Sequence, residues 1–122
     1  MDDAKIQAYI SANNLTMTKD PSGLYYQIVT AGSGTAPTTS STIRTAYTGI
    51  LLDGTQFDTS TNFTSILSAT IQGWQIGLPF IKPGGRIKLL VPAALGYGAT
   101  ATGSIPKNSV LFFTIDLLQV QG

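Results

Sequence analysis

The chain has 122 residues, 43% of them hydrophobic and 11% charged, with a formal net charge of +1. That length fits one domain with a modest hydrophobic core; no apolar run is long enough for a transmembrane span, and the seven basic residues are too scattered to form a stripe for nucleic acid. There is no Cys, His or Glu, which excludes a Cys nucleophile, a Ser-His-Asp triad and a His or Cys zinc site within the chain.

In chain order, Asp2 or Asp3 is placed to cap a short helix with Ile6, Tyr9 and Ile10 on one face, ended by Asn13-Asn14. Lys19 to Gly23 is a turn-rich joint, so residues 1–23 read as an N-terminal helical extension and 24–122 as the main domain. Leu24 to Thr30 is rich in β-branched and aromatic residues and reads as a strand. Ala31 to Ser41, with its Gly, Thr and Ser, is a loop. Thr42 to Leu52 alternates as a long strand, with Ile43, Thr45, Tyr47 and Gly49 on one face. An Asp53-Gly54 hairpin turn follows, then a short strand ending at Phe57. Gly73 to Phe80 forms one short helix that stops near Pro83-Gly84-Gly85. Arg86 to Val91 is a strand closed by Pro92. In the final strand, Val110 to Val120, Leu111, Phe113, Ile115 and Leu117 alternate against Phe112, Thr114 and Asp116. Several strands and one central helix predict an α+β fold, an antiparallel β-sheet curled over a short α-helix.

Of the six aspartates, only Asp53 and Asp58 are close enough in sequence to pair as hydrolase carboxylates beyond the N-terminal Asp2-Asp3, and Asp53 is explained by its turn. Chemistry that transfers protons or forms covalent intermediates is therefore poorly served. The low charge and abundant Ser and Thr favour an exported protein, in a bacterial cell envelope or periplasm, over a cytoplasmic one. Met1-Asp2-Asp3 has neither the cationic nor the apolar part of a signal peptide.

What the chain does offer is aromatic rings beside small residues. Trp74 is the single tryptophan, and around it stand Tyr47-Thr-Gly49, Phe57-Asp58, Gly96-Tyr97-Gly98 and Phe112-Phe113. Rings make the walls of a concave apolar pocket, and glycine allows close backbone approach. In order and spacing, these stretches resemble the FKBP-type peptidyl-prolyl cis-trans isomerases. The family pattern YTG, DGxxFDSS, IxGWxxG, LAYG and IPxNxxLxFxxxL stands here as Tyr47–Gly49, Asp53–Ser60, Ile71–Gly77, Leu95–Gly98 and Ile105–Leu118. The match runs in register from Leu24 to Val120.

The resemblance implies a peptidyl-prolyl cis-trans isomerase that needs no cofactor and no metal and acts on proline-containing polypeptides. It implies that Trp74 floors the prolyl pocket while Tyr47, Phe57 and Phe113 wall it. Thr70 and Ile71 would lie at the edge, the Ile71 N–H donating to a substrate carbonyl and the Tyr97 hydroxyl to a second. Asp58 would sit beside Tyr47. Ile105 with Ala101 to Ser104 would form a flap. Tyr47, Asp58 and Tyr97 are thus the catalytic set, and Phe57, Thr70, Ile71, Trp74, Ile105 and Phe113 the substrate-binding set. The alternative reading is a binding or chaperone-like module that uses the same pocket without turnover. The domain is expected to act as a monomer.

Several positions depart from the family. The segment between Phe57 and Ile71 is short and lacks the arginine usual after the Phe-Asp pair. Ala46 stands where His is common, Ala69 where an acid is, Gly96 for Ala and Lys107 for the second proline. Thr102 lies near the usual aromatic of a shortened flap. Phe63 is the candidate for the family's second pocket phenylalanine. Most of these changes bear on the rim, so catalysis is expected to be kept ahead of tight binding to macrolide inhibitors.

Overall fold

Adjacent residues of a strand point to opposite faces, and here both faces of one sheet are apolar enough to hold a helix. The computed structural model describes residues 2–98 and 105–122. Helix α1 (Asp2–Ala12) precedes strands β1 (Thr18–Lys19), β2 (Tyr25–Thr30), β3 (Thr42–Leu51) and β4 (Gln56–Ile66). Helix α2 (Gln72–Gly77), β5 (Arg86–Val91) and β6 (Leu111–Gln121) complete the order. The described strands form one six-stranded sheet in the order β1-β2-β5-β6-β3-β4, with every neighbouring pair antiparallel. The α+β architecture expected from the sequence is the one observed. No helix among the described residues is long and apolar enough to cross a membrane.

Leu89 and Leu90 show how the sheet divides. Leu89 belongs to the main core with Trp74, Leu111, Phe113 and Ile115, whereas Leu90 belongs to a second cluster with Ile6, Tyr25 and Val110. The first cluster lies under α2 and the second under α1. Helix α2 comes close to the sheet because its inward positions are glycines. A Cβ on Gly73 would stand 2.7 Å from a methyl of Val91, and one on Gly77 would stand 2.6 Å from a methyl of Leu89. Both glycines bring the helix down onto β5.

Three elements differ from expectation. The strand after the hairpin does not end at Phe57 but continues to Ile66, pairing with β3 along its length. Its Thr- and Ser-rich stretch lacks apolar alternation because it is a sheet edge facing solvent. The central helix begins at Gln72, and Leu78–Phe80 is a separate 3₁₀ turn, with Pro79 breaking the α-helical ladder. Asp2 and Asp3 do not act as caps. They lie inside the first turn of α1 and bond to other elements: Asp2 Oδ2 accepts the Ala93 N–H at 2.9 Å, and Asp3 Oδ1 accepts the Tyr25 hydroxyl at 2.7 Å and meets Lys19 Nζ at 3.0 Å. The other end of α1 is as read. Asn14 takes a left-handed φ of 55°, and the Leu15 N–H returns to the Ile10 carbonyl at 3.0 Å, a Schellman closure.

Candidate functional site

The hairpin that carries two of the aromatic walls is fixed by its turn. Gly54, at φ 91°, donates to the Leu51 carbonyl, and the Asp53 carboxylate accepts the Thr55 N–H at 2.9 Å. Beyond it, β4 carries two register shifts against β3, one beside Phe57 and one between Ser60 and Phe63. Such bulges re-aim side chains. Here they leave both Phe57 and Phe63 facing Tyr47 and Phe113 across a cavity of about 310 Å³.

Trp74, buried on α2, forms the floor. Its ring lies 5.0 Å from Tyr47, 5.5 Å from Phe113 and 6.0 Å from Phe63, all near perpendicular. Tyr47 meets Phe63 at 5.6 Å, and Phe57 meets Phe113 at 5.5 Å, again edge to face. Edge-to-face contact matches the positive ring edge to the negative face, so the rings prop one another upright instead of collapsing into the space. The indole N–H of Trp74 is buried with no acceptor among the described residues, a cost borne by these ring contacts.

The polar atoms lie on the rim. The Tyr47 hydroxyl donates to Asp58 Oδ2 at 2.6 Å, and Asp58 Oδ1 accepts the Thr59 N–H at 2.9 Å. Burial, reinforced by the Asp58 carboxylate, raises the Tyr47 hydroxyl well above the ordinary phenol value. Burial also raises Tyr97, with a further contribution from the charge of Asp58. Both phenols therefore stay protonated at neutral pH. The Thr70 hydroxyl donates to the Leu67 carbonyl at 2.7 Å, and the Thr70 carbonyl accepts from the Gln75 amide at 2.7 Å, which ties the rim to α2. Among the described residues, no backbone acceptor takes the Ile71 N–H, which lies at the helix entry.

Of the residues singled out in the sequence, the cavity brings together Tyr47, Phe57, Asp58, Thr70, Ile71, Trp74, Tyr97 and Phe113. Ile105 is not among the described lining residues; it stands at a strand bridge and is buried in the main core. Ala101 to Ser104, with Thr102, lie outside the described residues. Phe63 and Ala69 also line the cavity. Phe63 is registered opposite the buried Thr45, and a strand read through the β-branched Thr59–Thr64 stretch would have faced it inward. Among the described residues, no group of three His, Cys, Asp or Glu side chains gathers to hold a metal.

The chain is similar to known proteins in sequence and in fold. A family-wide sequence profile described as FKBP-type peptidyl-prolyl cis-trans isomerase matches residues 33–118. The FKBP-type peptidyl-prolyl cis-trans isomerase FkpA of Escherichia coli (strain K12) is 46% identical over 103 residues, which cover 81% of this chain and 38% of that protein. The Outer membrane protein MIP of Legionella longbeachae is 38% identical over 125 residues, covering 97% of this chain and 54% of that protein. The crystal structure of Escherichia coli FkpA superposes with a TM-score of 0.90 at 39% identity, over 98% of this chain and 59% of that one. The chain thus spans well under two thirds of the length of these relatives.

Proposed function

The chain belongs to the FKBP-type peptidyl-prolyl cis-trans isomerase family, and from that membership and the chemistry of the cavity we propose that it accelerates cis-trans rotation of Xaa-Pro peptide bonds in folding or flexible polypeptides. The barrier to that rotation is about 18–20 kcal/mol, because the planar amide has partial double-bond character. Twisting removes the resonance and lowers the charge separation across the amide. A water-poor aromatic cavity therefore favours the twisted amide over the planar one, which is differential binding without acid, base or covalent chemistry.

In this reading Trp74 supports the prolyl ring, and Tyr47, Phe57, Phe63 and Phe113 exclude water around it. The Ile71 N–H and the Tyr97 hydroxyl donate to substrate carbonyls on either side of the proline. Asp58 holds the Tyr47 phenol upright at the rim, and Thr70 fixes the edge through Gln75. Ile105 supports the wall from the core and is left out of the contact set. Residues 24–122 act as the isomerase domain, and 1–23 as an extension supplying α1 and the edge strand β1. In the same reading the domain acts as a monomer. Macrolide inhibitors are a second ligand class, weakened by the altered rim. A cell-envelope location is supported by the similarity to the Outer membrane protein MIP of Legionella longbeachae.

One observation carries the proposal: an aromatic cavity of about 310 Å³ whose only charged lining side chain among the described residues, Asp58, is hydrogen-bonded to Tyr47. A protease-coupled cis-to-trans assay on Xaa-Leu-Pro-Phe and Xaa-Ala-Pro-Phe peptides tests it. Acceleration above the thermal rate is expected. Saturable peptide binding without acceleration would replace the enzyme by a binding module.

A further inference from the structure

Tyr97 is the cavity residue least held by its surroundings. It sits on the Gly96–Gly98 turn, no aromatic ring props it among the described residues, and it is 37% exposed where Trp74 and Phe113 are each 4% exposed. Backbone bonds hold that turn from two sides: the Gly98 carbonyl accepts the Asn108 N–H at 2.7 Å, and on the other side one carbonyl serves twice. The oxygen of Ala93 accepts the N–H groups of both Gly96 and Gly98, at 3.0 and 2.8 Å.

Ala93 opens a single 3₁₀ turn, Ala93–Leu95, whose first amides have no acceptor within the turn. The preceding Pro92 offers no side-chain cap. The missing acceptor comes from another element on the other face of the sheet: Asp2 Oδ2, in the first turn of α1, takes the Ala93 N–H at 2.9 Å in a part-buried bond. A carboxylate acceptor makes this bond stronger than one between neutral groups. Asp2 is held in reach because Ile6 is buried beneath α1. A single residue, Ala93, is thus fastened by its N–H to α1 and fastens by its carbonyl the turn that carries Tyr97.

We propose that Asp2 is a positioning residue for Tyr97: the docked α1, through Asp2 and Ala93, fixes the direction in which the phenol is presented to substrate. The catalytic half of this inference rests on the isomerase reading above; the structural half does not.

Three variants test it, Asp2→Ala, Asp2→Asn and Asp3→Ala, each followed by amide hydrogen exchange and by the coupled peptide assay. Losing one hydrogen bond in Asp2→Ala should speed exchange at Ala93, Gly96 and Gly98 by about two- to tenfold, with the Leu89 and Ile115 amides of the sheet unchanged. The value of kcat/KM should fall by about two- to fourfold, mainly through KM, since a direct donor is worth more than its support. Asp2→Asn keeps an acceptor oxygen and should restore both readouts. Asp3→Ala loosens α1 on its other side and should leave Gly96 and Gly98 as they are. The proposal is overturned if Asp2→Ala leaves those amides unchanged, or alters them without altering kcat/KM. It is also overturned if Asp2→Asn matches Asp2→Ala, or if Asp3→Ala reproduces its pattern. Should the parent protein not isomerise peptides, the isomerase reading fails, and the exchange pattern still decides whether Asp2 positions the turn.

Discussion

On its α1 side the sheet buries Ile6 against Tyr25, Leu90 and Val110, while on its α2 side it buries Trp74 among rings that leave about 310 Å³ open. Both faces carry one helix, and the α1 side has a concavity of its own, about 350 Å³ beside Ile10, Leu15, Met17 and Tyr25, so the two are set apart by their lining and not by volume. The difference lies in the stiffness of the side chains. The α1 concavity is walled by flexible side chains, Gln7, Leu15 and Met17 among them, with one ring, Tyr25. Rings that meet edge to face have few other good orientations, so Tyr47, Phe63, Trp74 and Phe113 hold one another apart. The glycines of α2 add to this by keeping its backbone low on β5, which leaves height above the floor.

Removing the floor tests this contrast most severely. Trp74→Ala should cost about 3–5 kcal/mol of stability, read by denaturant unfolding, and should lower kcat/KM by more than about tenfold. The matching change on the other face, Ile6→Ala, should cost about 2–5 kcal/mol, yet kcat/KM of the folded protein should change by less than about threefold. Equal losses of activity in the two variants would show that the faces are not separable. Tyr97→Phe takes one neutral hydrogen bond from the rim and leaves the ring, so kcat/KM should fall by roughly two- to twelvefold with the unfolding midpoint unchanged.

The smallest effects concern pH and divide the faces by sign. Tyr47 and Tyr97 lie above the ordinary phenol value near 10, chiefly through burial, so the stabilisation tied to their protonated forms is complete below about pH 10 and is lost only as pH rises past it. With no His or Cys in the chain, kcat/KM should be flat from about pH 6 to pH 8, and a bell centred near neutrality would sink the desolvation mechanism. Asp3 lies below the ordinary carboxylate value, first through the Tyr25 hydroxyl and then through Lys19. Its contribution is complete above about pH 4 and fades as pH falls through the lowered value. Protection of α1 amides should therefore drop in acid before protection around Trp74 does.

The parts legible in the sequence were those where local and global demands coincide. Along β6, Leu111, Phe113, Ile115 and Leu117 alternate because one face is wholly buried, and Asp53-Gly54 turns the chain wherever it occurs. The full length of β4 was hidden because an edge strand with an exposed outer side needs no apolar alternation, and with the strand ended at Phe57 nothing faced Phe63 inward. Asp2 and Asp3 look like caps because the sequence shows the helix start and not the donors that come to it from Ala93, Tyr25 and Lys19. Gly73 and Gly77 suggest an open helix start, whereas only the packed sheet reveals that Val91 and Leu89 occupy the space a Cβ would take.

The position of β6 between β5 and β3 has a consequence for how the molecule is made. Without residues 111–121 the sheet falls into two pieces, β1-β2-β5 and the β3-β4 hairpin, which no strand pairing then joins. The cavity straddles that division: Tyr47, Phe57 and Phe63 come from the hairpin, Trp74 rests on β5, and Phe113 is on β6 itself. During synthesis from the N-terminus, Trp74 can meet Tyr47 and Phe63 of the hairpin early, but the cavity lacks its Phe113 wall, and the sheet its continuity, until this strand is inserted. Pairings so distant in sequence close slowly, since the intervening chain loses its freedom before the contacts form. Trp74 emission should therefore follow the final docking event in refolding, trailing any signal from the β3-β4 hairpin.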